Sequence, residues 1–198
     1  MNPASVLEAA ARGQLPAWAE MSAKRRAHVE RVADLLSAWA SALELDPLDR
    51  ARWRAAGILH DALRDADPGM LRPIVPPACA TWEAGLLHGP AAAVRLAEDG
   101  VDDQPLLRGI TFHTVGHPEL DRLGRALFMA DYLEPGRKVH AEHRAALRAR
   151  MPADFDGVLR DLVAEHLAWL REKGHPILPE TCAFHRRILE EEHGAAAH

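Results

Sequence analysis

Cysteine and tyrosine are both scarce in this sequence. Its 198 residues include one tyrosine and two cysteines, Cys79 and Cys182, which lie far apart. Two distant cysteines argue against a disulfide scaffold, and the lack of a CxxC pair argues against structural zinc. We therefore expect reduced thiols, as in proteins of the cytoplasm.

An excess of positive charge is also lacking. The 24 Lys and Arg residues are outnumbered by 29 Asp and Glu, which gives a formal net charge of −5. We expect no nucleic-acid or membrane partner, because such surfaces need excess Lys and Arg. No apolar run is long enough to span a bilayer, and residues 1–16 lack a signal-peptide pattern, so we expect a cytoplasmic protein. A small anionic substrate, which needs only a local basic pocket, remains compatible with this charge.

Strand signals are nearly absent, whereas helical periodicity is common. The apolar residues Val29, Val32, Leu36, Trp39 and Leu43 recur at helical spacing. Asp46 and Pro47 read as an N-cap followed by proline at the first helical position. Further helices are predicted for residues 81–98, 104–113, 139–150 and 155–173, and after residue 179. Another helix places Leu120, Leu123, Leu127 and Ala130 on one face and ends before Pro135. No repeat or composition break divides the chain, so the sequence predicts a single all-α domain.

Histidine is abundant, with 12 residues, and its positions matter more than its number. An apolar helix ends in His60-Asp61, within the segment GILHDA at residues 57–62. Burial of an aspartate beside an apolar stripe is costly unless a cation or hydrogen-bond donors compensate, and a metal would do so. Taken alone, the dipeptide is better explained as a capped, solvated helix end.

Two further residues favour a metal site over that explanation. His28 lies near the start of the first long helix, and Asp131 ends the apolar run of residues 127–130. With His60 and Asp61 they offer two imidazoles and two carboxylates from three helices. Such mixed nitrogen and oxygen sets suit iron, manganese, cobalt or zinc.

The order His…His-Asp…Asp resembles the HD-domain phosphohydrolase superfamily. Local matches at residues 24–28, 59–61, 87–89, 113–116, 130–137 and 176–181 look like its YqeK-type family, the symmetrical bis(5'-nucleosyl)-tetraphosphatases. The segments ADYLEPGR at 130–137 and HTVG at 113–116 are the most specific. The resemblance implies a single-domain HD helical bundle over residues 22–190, with an N-terminal segment 1–21 and a C-terminal tail 191–198. It also implies symmetrical hydrolysis of diadenosine tetraphosphate to two ADP by a metal-activated water.

The resemblance implies two metal ions that share Asp61. One ion would take His28, His60, Asp61 and Asp131, and the other Asp61, His88 and His113. The ions would be divalent or trivalent, with iron favoured and manganese, cobalt, zinc or magnesium as alternatives. Asp61 would fix their spacing as a catalytic residue, and Asp131 would complete one coordination sphere and orient the nucleophile.

Cationic side chains beside these motifs are candidates for the polyphosphate. Arg64 is a catalytic candidate, although the family usually carries a lysine there, and a guanidinium is not an ammonium at a tight site. The substrate-binding candidates are Lys24, Arg25, His117 and Arg137. Of these, Arg137 lies in the most specific match, and the others fit a solvated surface as well.

Several alternatives stay open at this stage. The chain could be another HD-domain nucleotidase, a guanosine polyphosphate hydrolase, or a module that binds nucleotide or metal without turnover. A homodimer is compatible with the amphipathic helices. The five tryptophans are expected in the core, with base stacking by Trp82 as the alternative. Surface positions are expected for His140, His143, His166, His175, His185, His193 and His198.

Overall fold

Helices account for all the regular structure in residues 3–195, the part of the chain whose backbone this computed structural model describes; its side chains are described for residues 6–191. In chain order the helices are α1 Pro3–Ala11, α2 Ala23–Ala42, α3 Pro47–Leu59, α4 Pro68–Leu71, α5 His88–Glu98, α6 Gln104–Phe112, α7 Arg122–Leu133, α8 Ala141–Arg150, α9 Phe155–Lys173 and α10 Pro179–Ala195. Two 3₁₀ turns, Pro77–Cys79 and Ala84–Leu86, precede α5. The all-α prediction is confirmed.

Local capping sets the helix boundaries that position the site. The Asp46 carboxylate accepts hydrogen bonds from the amides of Leu48 and Asp49 at 2.8 and 2.9 Å, which satisfies unpaired donors at the start of α3. Ser22 caps α2 through the amide of Arg25. At the other end of the chain Gly174, with φ of +68°, ends α9 in the left-handed conformation that glycine adopts readily.

Two differences from the predicted helices lie in the N-terminal half. The helix expected over residues 81–98 begins only at His88, because a 3₁₀ turn at Ala84–Leu86 precedes it. Helix α1, which the sequence did not predict, packs against α3 and contributes Val6 and Ala10 to the core. Residues 1–2 and 196–198 of the expected terminal segments lie outside the described range.

Helices that are neighbours along the chain pair to build the core. Helix α2 packs along α3, and α5, α6 and α7 pack in sequence. Gly57 lets α2 and α3 approach closely, because a Cβ atom there would lie 2.6 Å from the Cα atom of Ala33. The α2–α3 contact carries His28 and His60 on neighbouring helices.

Helix α10 folds back onto the loop after α6. The Thr181 hydroxyl donates a hydrogen bond to the carbonyl of Val115 at 2.9 Å. Phe184 packs edge-to-face on Phe128 of α7, with ring centroids 5.5 Å apart. Among the described residues, no helix is both long and apolar enough to cross a membrane.

Burial corrects two sequence expectations. His140, His143 and His175 are exposed as predicted, but His185 is only 6% exposed and His166 is partly buried. His193 and His198 lie outside the described side chains. Trp39, Trp53 and Trp82 lie in the core, Trp18 is half-buried, and Trp169 is 48% exposed. The core prediction was therefore wrong for Trp169.

Candidate metal centre

Four histidines converge from helix ends and one helix interior. His60 follows the last residue of α3, His88 is the first residue of α5, and His113 follows α6. His28 lies in the second turn of α2. All four are buried. Two helix C-termini, one helix N-terminus and one helix interior thus bring the four imidazoles to one point.

Asp61 lies at the centre of this cluster. Its Oδ1 is 3.0 Å from Nε2 of His88 and 3.4 Å from Nε2 of His113. Its Oδ2 is 3.6 Å from Nε2 of both His28 and His60. The two carboxylate oxygens therefore divide the four histidines into two pairs.

Asp131 extends the pair on the Oδ2 side. Its Oδ1 lies 3.1 Å from Nε2 of His28. Ligand-type atoms of His28, His60 and Asp131 lie within 4.8 Å of one another, and so do those of His60, Asp61 and His113. All six predicted metal ligands are brought together within one cluster.

Hydrogen bonds at Nδ1 fix the tautomer of three of these histidines. Nδ1 of His60, His88 and His113 donates to the carbonyls of residues 57, 85 and 110 at 2.8, 3.0 and 2.8 Å. A carbonyl can only accept, so Nδ1 holds the proton and Nε2 presents a lone pair to the cluster. That is the form of histidine that binds metal.

Buried Nε2 atoms without hydrogen-bond partners show that the residues fit a metal. Among the described side chains, Nε2 of His28 and of His60 are buried and make no hydrogen bond. A buried polar atom left in this way costs free energy unless something pairs with it. A cation between these lone pairs and the two carboxylates would satisfy them.

Glycine at position 89 permits the close packing of this centre. A Cβ atom at Gly89 would lie 2.7 Å from the carbonyl oxygen of Ile110 and 3.2 Å from Cε1 of His113. The absent side chain lets α5 approach the end of α6. His88 and His113 can then bring their Nε2 atoms to 3.1 Å.

The charges of the centre are strongly coupled. Burial lowers the pKa of His60 to about 4 and also lowers the pKa of His88, although Asp61 opposes both shifts. Burial acts to lower the pKa of His113 too, but the Asp61 carboxylate, which accepts a hydrogen bond from the protonated imidazole, raises it overall. Burial would raise the pKa of Asp61 and Asp131, yet neighbouring cationic groups and hydrogen bonds hold both below their ordinary values. Both carboxylates are therefore ionised at neutral pH.

The predicted cationic residues fall into two groups. Arg25, Arg64 and Arg137 line the cleft that opens from the centre. Arg25 donates to Oδ2 of Asp61 at 2.7 Å, and Arg137 donates from Nε to the carbonyl of Asp131 at 2.7 Å and from Nη2 to its carboxylate. Lys24 is exposed and does not line this cleft, and neither does His117, which packs on Phe112 at 4.4 Å.

Glu134 is a residue of the site that sequence reasoning missed. Its carboxylate is only 2% exposed and lies 3.2 Å from Nδ1 of His28. It also accepts hydrogen bonds from the Gly136 amide at 2.7 Å and from Arg31. His28 is thus the only one of the four histidines whose Nδ1 faces a carboxylate. The signal was present, because Glu134 lies within the segment ADYLEPGR.

The cleft has a volume of about 800 Å³ and two different walls. One wall contains Asp61, His88, His113 and Asp131. The other wall comes from the loop before α8 and from α8 and α9; its residues include Val139, His140, His143, Arg144, Glu165, His166, Trp169 and Glu172. We call these the metal wall and the distal wall. A cavity of this size is large enough for a nucleotide-sized ligand.

Known proteins resemble this chain in sequence and in fold. A protein of Halalkalibacterium halodurans named "Bis(5'-nucleosyl)-tetraphosphatase, symmetrical" is 28% identical over 150 residues, which cover 73% of this chain and 79% of that protein. A protein of the same name from Staphylococcus aureus is 33% identical over 126 residues, covering 59% of this chain and 61% of that protein. The crystal structure of an HD superfamily hydrolase of Clostridium acetobutylicum, described as involved in NAD metabolism, superposes with a TM-score of 0.75. That structure is 22% identical in sequence and covers 95% of this chain and 97% of its own, so the likeness shows the fold.

A family model agrees with these relatives. The model of the HD domain matches residues 25–136, which hold all six residues of the histidine and aspartate cluster. These matches support a metal-dependent hydrolase, and the chain belongs to the HD domain family.

Proposed function

We propose that the protein hydrolyses dinucleoside tetraphosphates symmetrically, so that water and diadenosine tetraphosphate yield two ADP. The name shared by the relatives from Halalkalibacterium halodurans and Staphylococcus aureus supports this substrate. The observation that carries the proposal is the division of the four histidines between the two oxygens of Asp61. Such a bridging carboxylate suits two metal ions, which act together on phosphate esters and anhydrides.

The six side chains would hold two ions. His28, His60, Asp61 and Asp131 suit one, and Asp61, His88 and His113 suit the other. The resemblance to the YqeK-type family favours iron, and mixed imidazole and carboxylate ligands also suit manganese, cobalt, zinc or magnesium. When bound, the ions would supply Lewis-acid activation of water for attack on phosphorus.

The chain's own residues supply charge and position. Asp61 and Asp131 are ionised and fixed by their histidine neighbours, so they hold positive charge at the end of the cleft without rearranging. Arg25 and Arg137 line the same cleft, and a guanidinium can donate two parallel hydrogen bonds to phosphate oxygens. Arg64 adds a third positive charge. These groups stabilise a polyphosphate whose negative charge shifts during the reaction.

Other properties belong to the same proposal. The catalytic unit extends over residues 22–190, beyond the family match, because α8 and α9 line the cleft. The protein acts in the cytoplasm on a nucleotide, and it can form a homodimer.

The decisive experiment is product analysis with metal-loaded protein. The proposal expects diadenosine tetraphosphate to give ADP as the sole nucleotide product, with activity lost after chelation and restored by added iron or manganese. Formation of ATP and AMP would contradict symmetrical cleavage. An intact substrate, with turnover of a nucleoside monophosphate or a guanosine polyphosphate in the same panel, would replace the proposed substrate.

A further inference from the structure

An exposed tryptophan lines the distal wall of the cleft. Trp169 of α9 is 48% exposed, whereas Trp39, Trp53 and Trp82 are at most 5% exposed. Burial of an indole is favourable, so the exposure of Trp169 is not explained by folding. Trp82, the alternative candidate from the sequence, is 5% exposed and packs on Phe112 at 5.9 Å. The exposed indole belongs to the same cavity as the metal ligands.

A second aromatic ring supports this indole from one side. The imidazole of His175 stacks on Trp169 with ring centroids 5.0 Å apart and an interplanar angle of 29°. His175 follows directly after Gly174, whose left-handed conformation ends α9 and turns the chain back. The stack restrains the indole and covers one of its faces. The tryptophan is still 48% exposed with this stack in place, which leaves indole surface for a planar ligand.

Arginine side chains are more numerous on the metal wall of the cleft than on the distal wall. The metal wall carries Arg25, Arg64 and Arg137, which suit phosphates. The distal wall includes His166, whose ring packs edge-to-face on Phe128 at 5.7 Å. Burial lowers the pKa of His166 to about 4, so this side chain is neutral at pH 7. The distal wall also holds Arg144, Glu165 and Glu172, so its charge is mixed. Its aromatic rings suit a base and the arginines of the metal wall suit phosphates, so one cleft offers both kinds of group that a nucleotide needs.

We propose that Trp169, backed by His175, is the platform on which one purine base of the dinucleotide stacks. This inference rests on the proposed function, since it assumes a nucleotide in the cleft. Aromatic side chains can stack on any base, because every base has a π-face, and the preference among bases follows the strength of stacking. The platform lies beyond residue 136, where the family match ends, so it gives substrate preference to a metal centre built by the shared part of the fold.

Three substitutions and two ligands test the platform. The metal-loaded proteins are Trp169→Ala, Trp169→Phe and the matched control Trp18→Phe, which alters a half-buried tryptophan outside the cleft. Calorimetry measures the Kd of ADP and of inorganic tripolyphosphate, and kinetics measure KM and kcat for diadenosine tetraphosphate. Because Trp169 is exposed, its replacement should leave the melting temperature close to that of the parent.

Stacking predicts a specific pattern. Trp169→Ala raises the Kd of ADP and the KM of the dinucleotide by about 5- to 100-fold, the range that loss of one base stack produces. The value of kcat stays near that of the parent, because stacking away from phosphorus contributes to substrate and transition state alike. Tripolyphosphate binds unchanged, Trp169→Phe retains most of the affinity for ADP, and Trp18→Phe matches the parent.

Two further outcomes separate this inference from the proposed function. If the parent protein cleaves diadenosine tetraphosphate but Trp169→Ala keeps the same KM and the same Kd for ADP, the platform is wrong and the function stands. If the parent does not cleave the dinucleotide, yet Trp169→Ala weakens ADP and not tripolyphosphate, the function is wrong and the platform stands. Equal weakening of ADP and tripolyphosphate would also overturn the platform, because it would place Trp169 at the phosphates.

Discussion

The two walls of the cleft are built in different ways. On the metal wall the imidazoles and Asp61 are buried, and each histidine is held at its second nitrogen by a carbonyl or a carboxylate. On the distal wall His140, His143 and Trp169 are exposed, and the His143 ring pairs with the carboxylate of Glu165 at 2.6 Å. The first wall is fixed before any ligand arrives, and the second can adjust to one. Under the proposed function, phosphate hydrolysis takes place at the metal wall and the distal wall recognises the nucleotide.

Physical cost explains this division. One buried carboxylate, one partly buried carboxylate and four buried imidazoles are expensive to assemble, so they are stable only when packing holds each one at its partners. A recognition surface gains from exposed aromatic and polar groups that a ligand can cover. Substitutions should therefore have their largest effects on the metal wall.

Removal of the bridging charge should have the largest effect. In Asp61→Asn the side chain keeps its shape but can no longer hold two cations as a carboxylate does. We expect kcat to fall by about 10³-fold and bound metal to fall with it, because Lewis-acid chemistry supplies several kcal/mol to the barrier. Elemental analysis and kinetics measure both. The control Asp34→Asn changes an exposed aspartate that pairs with Arg54, and it should alter neither.

Unchanged metal content in Asp61→Asn would contradict the assignment of the metal wall as a metal centre. The cluster would then be a packed polar core rather than a metal centre.

Loss of the Glu134 charge tests whether the metal wall depends on outer contacts. Glu134→Gln keeps an acceptor near Nδ1 of His28 but removes the carboxylate that pairs with Arg31. We expect metal affinity to fall by about 10- to 100-fold, as is usual when a partner of a metal-bound histidine is lost. Competition with a chelator measures the affinity. The same change on the distal wall, Glu165→Gln, should leave metal affinity unaltered. Equal losses of affinity in both variants would contradict a specific role for Glu134.

Helix spacing on the metal wall can be tested through glycine. A Cβ atom in Gly57→Ala would meet the backbone of Ala33, so α2 and α3 must separate. Forcing extra volume into such a contact costs about 1–3 kcal/mol of unfolding free energy. Urea unfolding measures the cost. The matched change Gly85→Ala, where no atom lies within 4 Å of the new Cβ, should be neutral.

The same contrast explains what could be predicted from sequence. Apolar periodicity and capping residues gave α2, α3, α6, α8 and α9 to within a few residues, because those signals are local. The set of His28, His60, Asp61 and Asp131 was accessible from ligand-type residues beside apolar helical runs, and the resemblance to a known family added His88 and His113. Neither signal required knowledge of the tertiary contacts.

Residues whose role depends on packing were not accessible in this way. Glu134 lies within the segment ADYLEPGR, but its contact with His28 spans 106 positions of sequence, so the segment alone does not reveal which residue it contacts. The spacing of Trp169 along α9 is that of a core residue. Its exposure depends on how α9 lies beside the cleft, which the sequence does not show. Buried His185 was expected at the surface for the same reason, since the position of α10 is set by contacts with α7 and α9.

His185 provides the smallest and most specific test of the region behind the distal wall. Burial lowers its pKa to about 4, and its Nε2 makes no hydrogen bond among the described side chains. In the unfolded chain an ordinary histidine titrates near pH 6.5, so the unfolded state binds more protons between about pH 4 and 6.5. Stability contributed by neutral His185 is therefore present above that window and lost as the pH falls through it, by about 1–3 kcal/mol in total.

Urea unfolding of the metal-free protein at several pH values measures this loss. The free energy of unfolding should fall less steeply with falling pH in His185→Leu than in the parent. The control His175→Leu, which alters an exposed ring, should follow the parent. Parallel curves for His185→Leu and the parent would mean that α10 opens before the imidazole is protonated, so that the region behind the distal wall is no more fixed than its surface.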